Sequence, residues 1–220
     1  MKVAACLAIA LLVLIAWTPS PVSFAGDGRN LSSVNGEVNA KPGETYDTIS
    51  TVNGSVHVGE RVTANKAETV NGELEIDNDV KLGSASTVNG SLSVGENTAI
   101  SGEASTVNGS VTLRRSTRVG GDVSTVSGEI ELRGAEVGGK VITHNGDIDL
   151  SDGAQVRGGI HVKKSNSGWG WSWGKDDPIK VHVCATCVVD GELRFDRPAE
   201  LRVDQGGRVG KVTGDDVKRL

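Results

Sequence analysis

The sequence is poor in aromatic side chains, which make up only 3% of its 220 residues. Two of them, Trp17 and Phe24, lie in an apolar N-terminal segment, and three tryptophans crowd into 169–173. Only Tyr46 and Phe195 are left for the rest of the chain. A globular core of ordinary shape usually relies on aromatics for buried area. The 30 glycines and many valines are typical instead of a thin core built from stacked aliphatic rows.

The sequence also lacks an excess of positive charge. Its 23 basic side chains are outnumbered by 28 acidic ones, which gives a formal net charge of −5. A mildly acidic chain lacks the excess of basic side chains that is typical of nucleic-acid-binding proteins. We therefore predict no nucleic-acid partner.

The first 25 residues have the layout of a secretory signal peptide. Lys2 precedes an apolar run from Val3 to Trp17, two prolines follow, and a small-x-small stretch ends at Ala25. We expect cleavage after Ala25 and export of the rest to the periplasm or the extracellular space. A retained membrane anchor is the alternative, although the apolar run is shorter than the ~20 residues that a spanning helix usually needs.

An Asn-Gly pair recurs along the chain in steps of 18 or 19 residues, with Ser127-Gly128 in the one slot where asparagine is missing. Self-similarity at this period predicts a solenoid, in which stacked repeats bury a shared core. Stacking would place the asparagines in a column where their side-chain amides bond along the axis. The predicted ladder consists of Asn35, Asn53, Asn71, Asn89, Asn108 and Asn145.

A finer period of six lies inside the repeat. From Val34, steps of six reach Ala40, Tyr46, Val52 and further apolar residues, most with an apolar partner four residues on. This pattern fits neither a helix nor a long strand. It predicts an all-β, single-domain triangular parallel β-helix with about 18 residues per coil and three six-residue sides. In this frame the valine of each Thr-Val-Asn-Gly run points inward and the threonine outward.

The six-residue frame also predicts the domain limits. The β-helix would span 26–204, interrupted by an inserted tryptophan-rich loop at 163–178, with 205–220 as a C-terminal cap or tail. The frame slips by one residue after Ile100, Val119 and Val137, on corresponding sides of successive coils. Such repeated slips indicate a stacked bulge.

Two cysteines and two histidines near the end of the repeat are candidate ligands. In an exported chain Cys184 and Cys187 are expected to be oxidised to a disulfide, although strand geometry could hold them apart as thiols. If the insertion loops out, His182 could stack over His161. The four side chains together are then plausible metal ligands. His57 is predicted to face solvent as an ordinary surface residue, and His144 takes an inward valine slot.

Trp169, Trp171 and Trp173 alternate with glycine and serine in the insertion. In an extended hairpin they would project from one side, and exposed tryptophans in a row are costly unless they cover or meet something. They either cap an apolar flank of the solenoid or bind a glycan, a membrane interface or a protein. We predict a binding site here.

The sequence predicts no catalytic residues and no cofactor. The coil length is similar to that of left-handed hexapeptide acyltransferases, but an exported chain would lack their cytosolic donors. Polysaccharide lyases and hydrolases need carboxylates clustered in a cleft, whereas the acidic residues at the corners here alternate with serines. Ice binding would need two outward threonine columns, and only one is predicted.

The runs TVNGSVHVGERV, ETVNGELEIDNDVKLG and STVNGSLSVG, with the closing VVDGELRF, resemble two bacterial groups over about 34–204. One is the bactofilins, whose right-handed triangular β-helix polymerises end to end. The other is the putative adhesins with β-strand repeats, which are often exported. The signal peptide favours the adhesin group. The resemblance favours a right-handed coil, leaving handedness open, and implies a non-enzymatic structural or adhesive role. The expected partners are an envelope component or further copies of the chain.

Overall fold

The computed structural model describes residues 28–164, 177–214 and 216–220. These residues form an all-β, single-domain parallel solenoid, so the predicted fold class is confirmed. Successive coils pair in parallel through two long sheets, one of ten strands and one of sixteen. The described part of the chain contains no helix that could span a membrane.

One side of every coil contributes a short strand to the ten-stranded sheet. Most of these strands hold three residues, and their burial alternates inward, outward, inward. In spatial order they are β2 (Val38–Ala40), β4 (Val56–Val58), β6 (Leu74–Ile76), β8 (Leu92–Val94), β11 (Val111–Leu113), β14 (Ile130–Arg133), β17 (Ile148–Ser151), β20 (Ile179–Val183), β23 (Ala199–Val203) and β26 (Val217–Arg219).

The sixteen-stranded sheet carries the other two sides. In the first coils both sides form a single strand: β1 (Arg29–Asn35), β3 (Thr45–Asn53), β5 (Thr63–Asn71) and β7 (Lys81–Asn89). Beyond β7 the sheet divides into two branches. One consists of β9 (Ala99–Ile100), β12 (Arg118–Val119), β15 (Glu136–Val137), β18 (Gln155–Val156), β21 (Val188–Val189) and β24 (Arg208–Val209). The other consists of β10 (Ala104–Ser105), β13 (Val123–Ser124), β16 (Val141–Thr143), β19 (Ile160–Val162), β22 (Leu193–Phe195) and β25 (Val212–Thr213).

The division of this sheet explains the predicted register slips. In β7 two residues separate the inward Leu82 from the inward Ala85, and the strand stays continuous. In the next coil three residues, 101–103, separate Ile100 from Ala104, and pairing stops between them. The slips after Val119 and Val137 lie at the same place in later coils. They are stacked as predicted, but they split one strand into two instead of leaving a bulge within it.

The predicted orientation of the Thr-Val-Asn-Gly run is wrong by one residue. The threonines are buried and face the core, at 0 to 4% exposure: Thr51, Thr69, Thr87, Thr106, Thr125 and Thr143. The valines beside them turn outward, as in Val52, which is 42% exposed. Val34, which follows Ser33 in the first coil, is 65% exposed. The reason lies in β3, where Tyr46 and the inward Ile49 are separated by two residues that both turn away from the core. The side of the coil that begins at Tyr46 is therefore five residues long instead of six. The next inward residue is Thr51 and not Val52.

Buried threonine is stable here because its hydroxyl has a partner on the neighbouring coil. The Oγ1 atom donates to the carbonyl oxygen of a corner glycine in five of the six cases, as in Thr69 to Gly54 at 2.8 Å. A buried hydroxyl without a hydrogen bond would be costly. Thr143 is the exception, because its Oγ1 is buried and has no partner in the described part of the chain.

The solenoid continues through the segment predicted as a C-terminal cap or tail. Strands β24, β25 and β26 pair with β21, β22 and β23 respectively. They complete a tenth coil beyond residue 204.

Candidate functional site

The asparagine column is a ladder of side-chain hydrogen bonds over five coils. Each Nδ2 donates to the Oδ1 of the asparagine one coil earlier, at 3.2, 2.9, 2.9 and 2.9 Å from Asn53 onward. The ladder stops after Asn108, where Ser127 occupies the position. Asn145 lies beyond this gap, and its Oδ1 accepts from the guanidinium of Arg197 instead. The repeat therefore uses its most regular polar side chains to join coils.

Filling the gap should strengthen the stack. We expect Ser127→Asn to raise the free energy of unfolding by about 0.5–1 kcal/mol, because the new amide can bond to Asn108 and Asn145. Asn53→Ser opens a comparable gap and should lower it by a similar amount. Urea unfolding followed by circular dichroism measures both. If Asn53→Ser lowers the midpoint but Ser127→Asn leaves it unchanged, the new asparagine does not connect Asn108 to Asn145.

The tryptophan-rich insertion interrupts the same corner. Trp169, Trp171 and Trp173 lie outside the described residues, but both flanks are described. Lys163 follows β19 and donates its backbone N–H to the carbonyl oxygen of Thr143. It therefore aligns with His144, one residue before the asparagine column. The chain returns at Asp177, and Pro178 separates it from the start of β20 at Ile179. The insertion thus replaces an Asn-Gly corner and does not interrupt a strand.

Arg197 fixes the returning end of the insertion. Its guanidinium donates to the carbonyl oxygens of His144 at 2.8 Å and Asp177 at 3.3 Å, as well as to Asn145. One side chain therefore joins the ladder corner to the insertion. Sequence reasoning missed this residue; the signal was its position, two coils beyond Asn145 in the asparagine column.

A groove of about 590 Å³ lies beside this anchor, on the last coils of the solenoid. Its walls combine charged side chains with one aromatic ring and one proline. They include Glu192, Arg194, Phe195, Asp196, Arg197, Pro198 and Asp216. The groove offers both signs of charge next to the point where the insertion returns.

The cysteines form a disulfide, which was one of the two predicted outcomes. A tight turn after β20 brings the Cα atoms of Cys184 and Cys187 to 5.0 Å, and the Cys187 N–H donates to the Cys184 carbonyl oxygen. Cys187 is fully buried, whereas Cys184 lies at the corner. Thiolate ligands for a metal are therefore absent from this pair.

The predicted stacking of His182 over His161 is wrong. His161 belongs to β19 in the sixteen-stranded sheet, and His182 belongs to β20 in the ten-stranded sheet. The insertion takes the place of a corner, so the strands on either side of it occupy different sides of the solenoid. The four-residue metal site that the sequence predicted is not assembled.

Each of these histidines instead contacts carboxylates. His161 Nε2 lies 2.8 Å from Asp196, and this contact, followed by one from Arg194, lowers the pKa of that carboxyl. His182 lies between Asp149, at 2.7 Å from Nδ1, and Asp204, at 3.1 Å from Nε2. The hydrogen bond to Asp149 raises the pKa of His182, burial opposes the shift, and Asp204 adds to it.

His144 behaves in the opposite way. It continues the outward valine column and is half-buried, not in the inward slot that the sequence predicted. Burial lowers its pKa, and nearby Lys163 adds to this effect. Its Nδ1 is buried and has no partner in the described part of the chain.

The raised pKa of His182 makes one part of the stability depend on pH. Protonated His182 stabilises the fold fully below its ordinary pKa near 6.5, and this contribution is lost as pH rises through the raised value. His182→Gln should therefore lower the urea midpoint near pH 5.5 and have little effect near pH 8.5. The loss should stay below about 1 kcal/mol, because the contacts are partly screened by solvent.

His144→Gln supplies the control with the opposite sign. Because the pKa of His144 is lowered, its neutral form stabilises the fold above about pH 6.5, and this contribution declines in acid. The difference between wild type and His144→Gln should therefore grow with rising pH. If the urea midpoints of wild type and His182→Gln change in parallel with pH, His182 is not the source of this pH dependence.

No family model, no curated protein and no solved structure matches this chain in the three comparisons made.

Proposed function

We propose that this chain is an exported, non-enzymatic β-solenoid with a structural or adhesin-like role in the bacterial cell envelope. The observation that carries the proposal is the direction of its regular hydrogen bonds. Asparagine amides and threonine hydroxyls join one coil to the next along the axis. Hydrogen bonds along the axis stiffen the stack of coils, which supports a structural role.

Two observations support export. The first 25 residues have a signal-peptide layout, and Cys184 and Cys187 are joined as a disulfide. Disulfides persist in oxidising compartments and are rare in the cytosol. The rod would therefore work in the periplasm or outside the cell.

Export can be tested in a bacterial host by cell fractionation and N-terminal sequencing. We expect a mature chain beginning at Gly26, with Cys184 and Cys187 protected from alkylation until a reductant is added. Leu12→Arg breaks the apolar run and should leave an unprocessed chain in the cytoplasm. A wild-type chain that stays unprocessed in the cytoplasm, with free Cys184 and Cys187 thiols, would argue against export.

A second candidate function is recognition of a glycan, a membrane or a protein through the tryptophan insertion. The observation that favours it is the anchoring of Asp177 by Arg197 beside the groove. A binding loop gains precision when its ends are held by a rigid scaffold.

Retention on insoluble envelope fractions separates the two candidates. The triple variant of Trp169, Trp171 and Trp173 to alanine should lose retention if the insertion binds, and keep it if the rod surface does. If the wild-type protein is not retained on these fractions, the result would argue against any adhesive role.

Polymerisation through the end coils is a structural alternative that the bactofilin resemblance implies. Parallel edge strands can pair with a further copy of the chain. Electron microscopy of the purified protein at high concentration should then show filaments, whereas single short rods would exclude this alternative.

A further inference from the structure

Three outward histidines share one local arrangement. Each lies between two inward aliphatic residues, and its Nε2 meets an aspartate of the next coil, two residues after its register partner. The pairs are His57 with Asp77 at 3.3 Å, His161 with Asp196 at 2.8 Å and His182 with Asp204 at 3.1 Å. The solenoid geometry thus generates the same His-Asp contact at three places.

The register partner distinguishes one of these places from the other two. For His161 and His182 the partner is an arginine, Arg194 or Arg202, whose Nε also donates to the same aspartate at 2.9 or 3.1 Å. For His57 the partner is Glu75. The His57 cluster therefore has a second carboxylate at the position where the His161 and His182 clusters have a guanidinium.

The distances around His57 differ from those of ordinary ion pairs. Nδ1 lies 3.3 Å from Glu75 Oε2, and Nε2 lies 3.3 Å from Asp77 Oδ2. Charge-assisted hydrogen bonds are shorter, about 2.7–2.9 Å, and His161 and His182 reach their nearest carboxylates within that range. A tetrahedral cation bound at about 2.0–2.1 Å holds its ligand atoms about 3.3 Å apart. Whichever ring nitrogen of His57 binds the cation therefore has one carboxylate oxygen at that separation.

The three side chains can also converge. One ligand atom from each of His57, Glu75 and Asp77 lies within 4.8 Å of the others. The histidine lies on β4, while Glu75 lies on β6 and Asp77 directly follows it, so paired strands fix their backbones. The side chains of His57 and Asp77 are 35% and 33% exposed, and that of Glu75 is 60% exposed. This leaves an open side for water to complete the coordination.

We propose that His57, Glu75 and Asp77 bind a divalent first-row transition cation such as Zn²⁺. One imidazole nitrogen and two carboxylate oxygens suit this class of ion. The cation would join the second and third coils of the ten-stranded sheet and would stabilise the folded chain by mass action. The site is independent of the proposed envelope role.

The test is a zinc titration of the untagged full-length chain after treatment with a chelator, followed by isothermal titration calorimetry. We expect one Zn²⁺ per chain in the wild type. His57→Gln, Glu75→Gln and Asp77→Asn should each weaken binding about tenfold or more, since each removes a ligand. His161→Gln and His182→Gln are matched controls from the arginine-containing clusters and should bind zinc as the wild type does.

Glu75→Arg is the sharpest variant, because it converts the His57 cluster into the arrangement of the other two. It should fold normally by circular dichroism and lose zinc binding, and its melting temperature should no longer rise with added zinc. The proposal is overturned if the wild type takes up no zinc, if Glu75→Arg binds it unchanged, or if His182→Gln abolishes binding.

Discussion

Gly72→Ala should be among the most damaging single-methyl changes in this protein. A Cβ at this position would overlap the Gly54 carbonyl oxygen of the adjacent coil and lie 2.9 Å from the Ser55 nitrogen. Both obstacles are backbone atoms in a stacked coil, so neither can move aside cheaply. We expect a loss of about 3 kcal/mol in the free energy of unfolding, at the upper end of overpacking costs, measured by urea denaturation.

Gly36→Ala is the control in the same glycine column. A Cβ there meets no atom within 4 Å, although its φ of +105° makes alanine strained. Its cost should be about 1–2 kcal/mol, from backbone strain alone. Equal losses in the two variants would show that coil contact does not select glycine at this corner.

Thr69→Val should destabilise the solenoid although it preserves shape. The change leaves the Gly54 carbonyl oxygen without the hydroxyl that donates to it at 2.8 Å. Losing the partner of a buried acceptor costs about 1–2 kcal/mol. Thermal and urea unfolding of the purified protein measure the loss.

Thr143→Val provides a matched comparison within the same column. The Thr143 hydroxyl is buried and has no partner in the described residues, so replacing it removes a desolvated polar group without breaking a bond. We expect this variant to be neutral or more stable by up to about 1 kcal/mol. A loss equal to that of Thr69→Val would mean that the hydrogen bonds to glycine do not explain why threonine occupies the core.

Coil length and the asparagine ladder could be predicted from sequence because both depend on simple spacing. A step of 18 residues places Asn53, Asn71 and Asn89 one above another whatever the details of each side. The direction of Thr51 and Val52 could not be predicted in the same way. It depends on whether one outward residue or two in succession follow Tyr46. The spacing of apolar residues in the sequence is compatible with both arrangements.

The histidine clusters lay beyond sequence reasoning for a different reason. The contact between His182 and Asp204 needs the register of adjacent coils and the side on which each strand lies. The insertion before β20 places this strand on a different side of the solenoid from β19, and the local Val-His-Val sequence gives no sign of the change. The recurring signal is an outward histidine with an aspartate two residues past its partner in the next coil, and it can be recognised only once the coils are aligned.

Spin-label distances along the ten-stranded sheet test the stacked-coil account most directly. Asn39, Ser93 and Arg202 lie in one outward column, with Arg202 eight coils from Asn39 and five from Ser93. At the ~4.8 Å spacing of paired strands, labels at 39 and 202 should be about 38 Å apart, and labels at 93 and 202 about 24 Å apart. A Cys6→Ser background avoids labelling at Cys6. Distances in this ratio support nine coils stacked in register from β2 to β23, and a shorter distance for the first pair than for the second would contradict it.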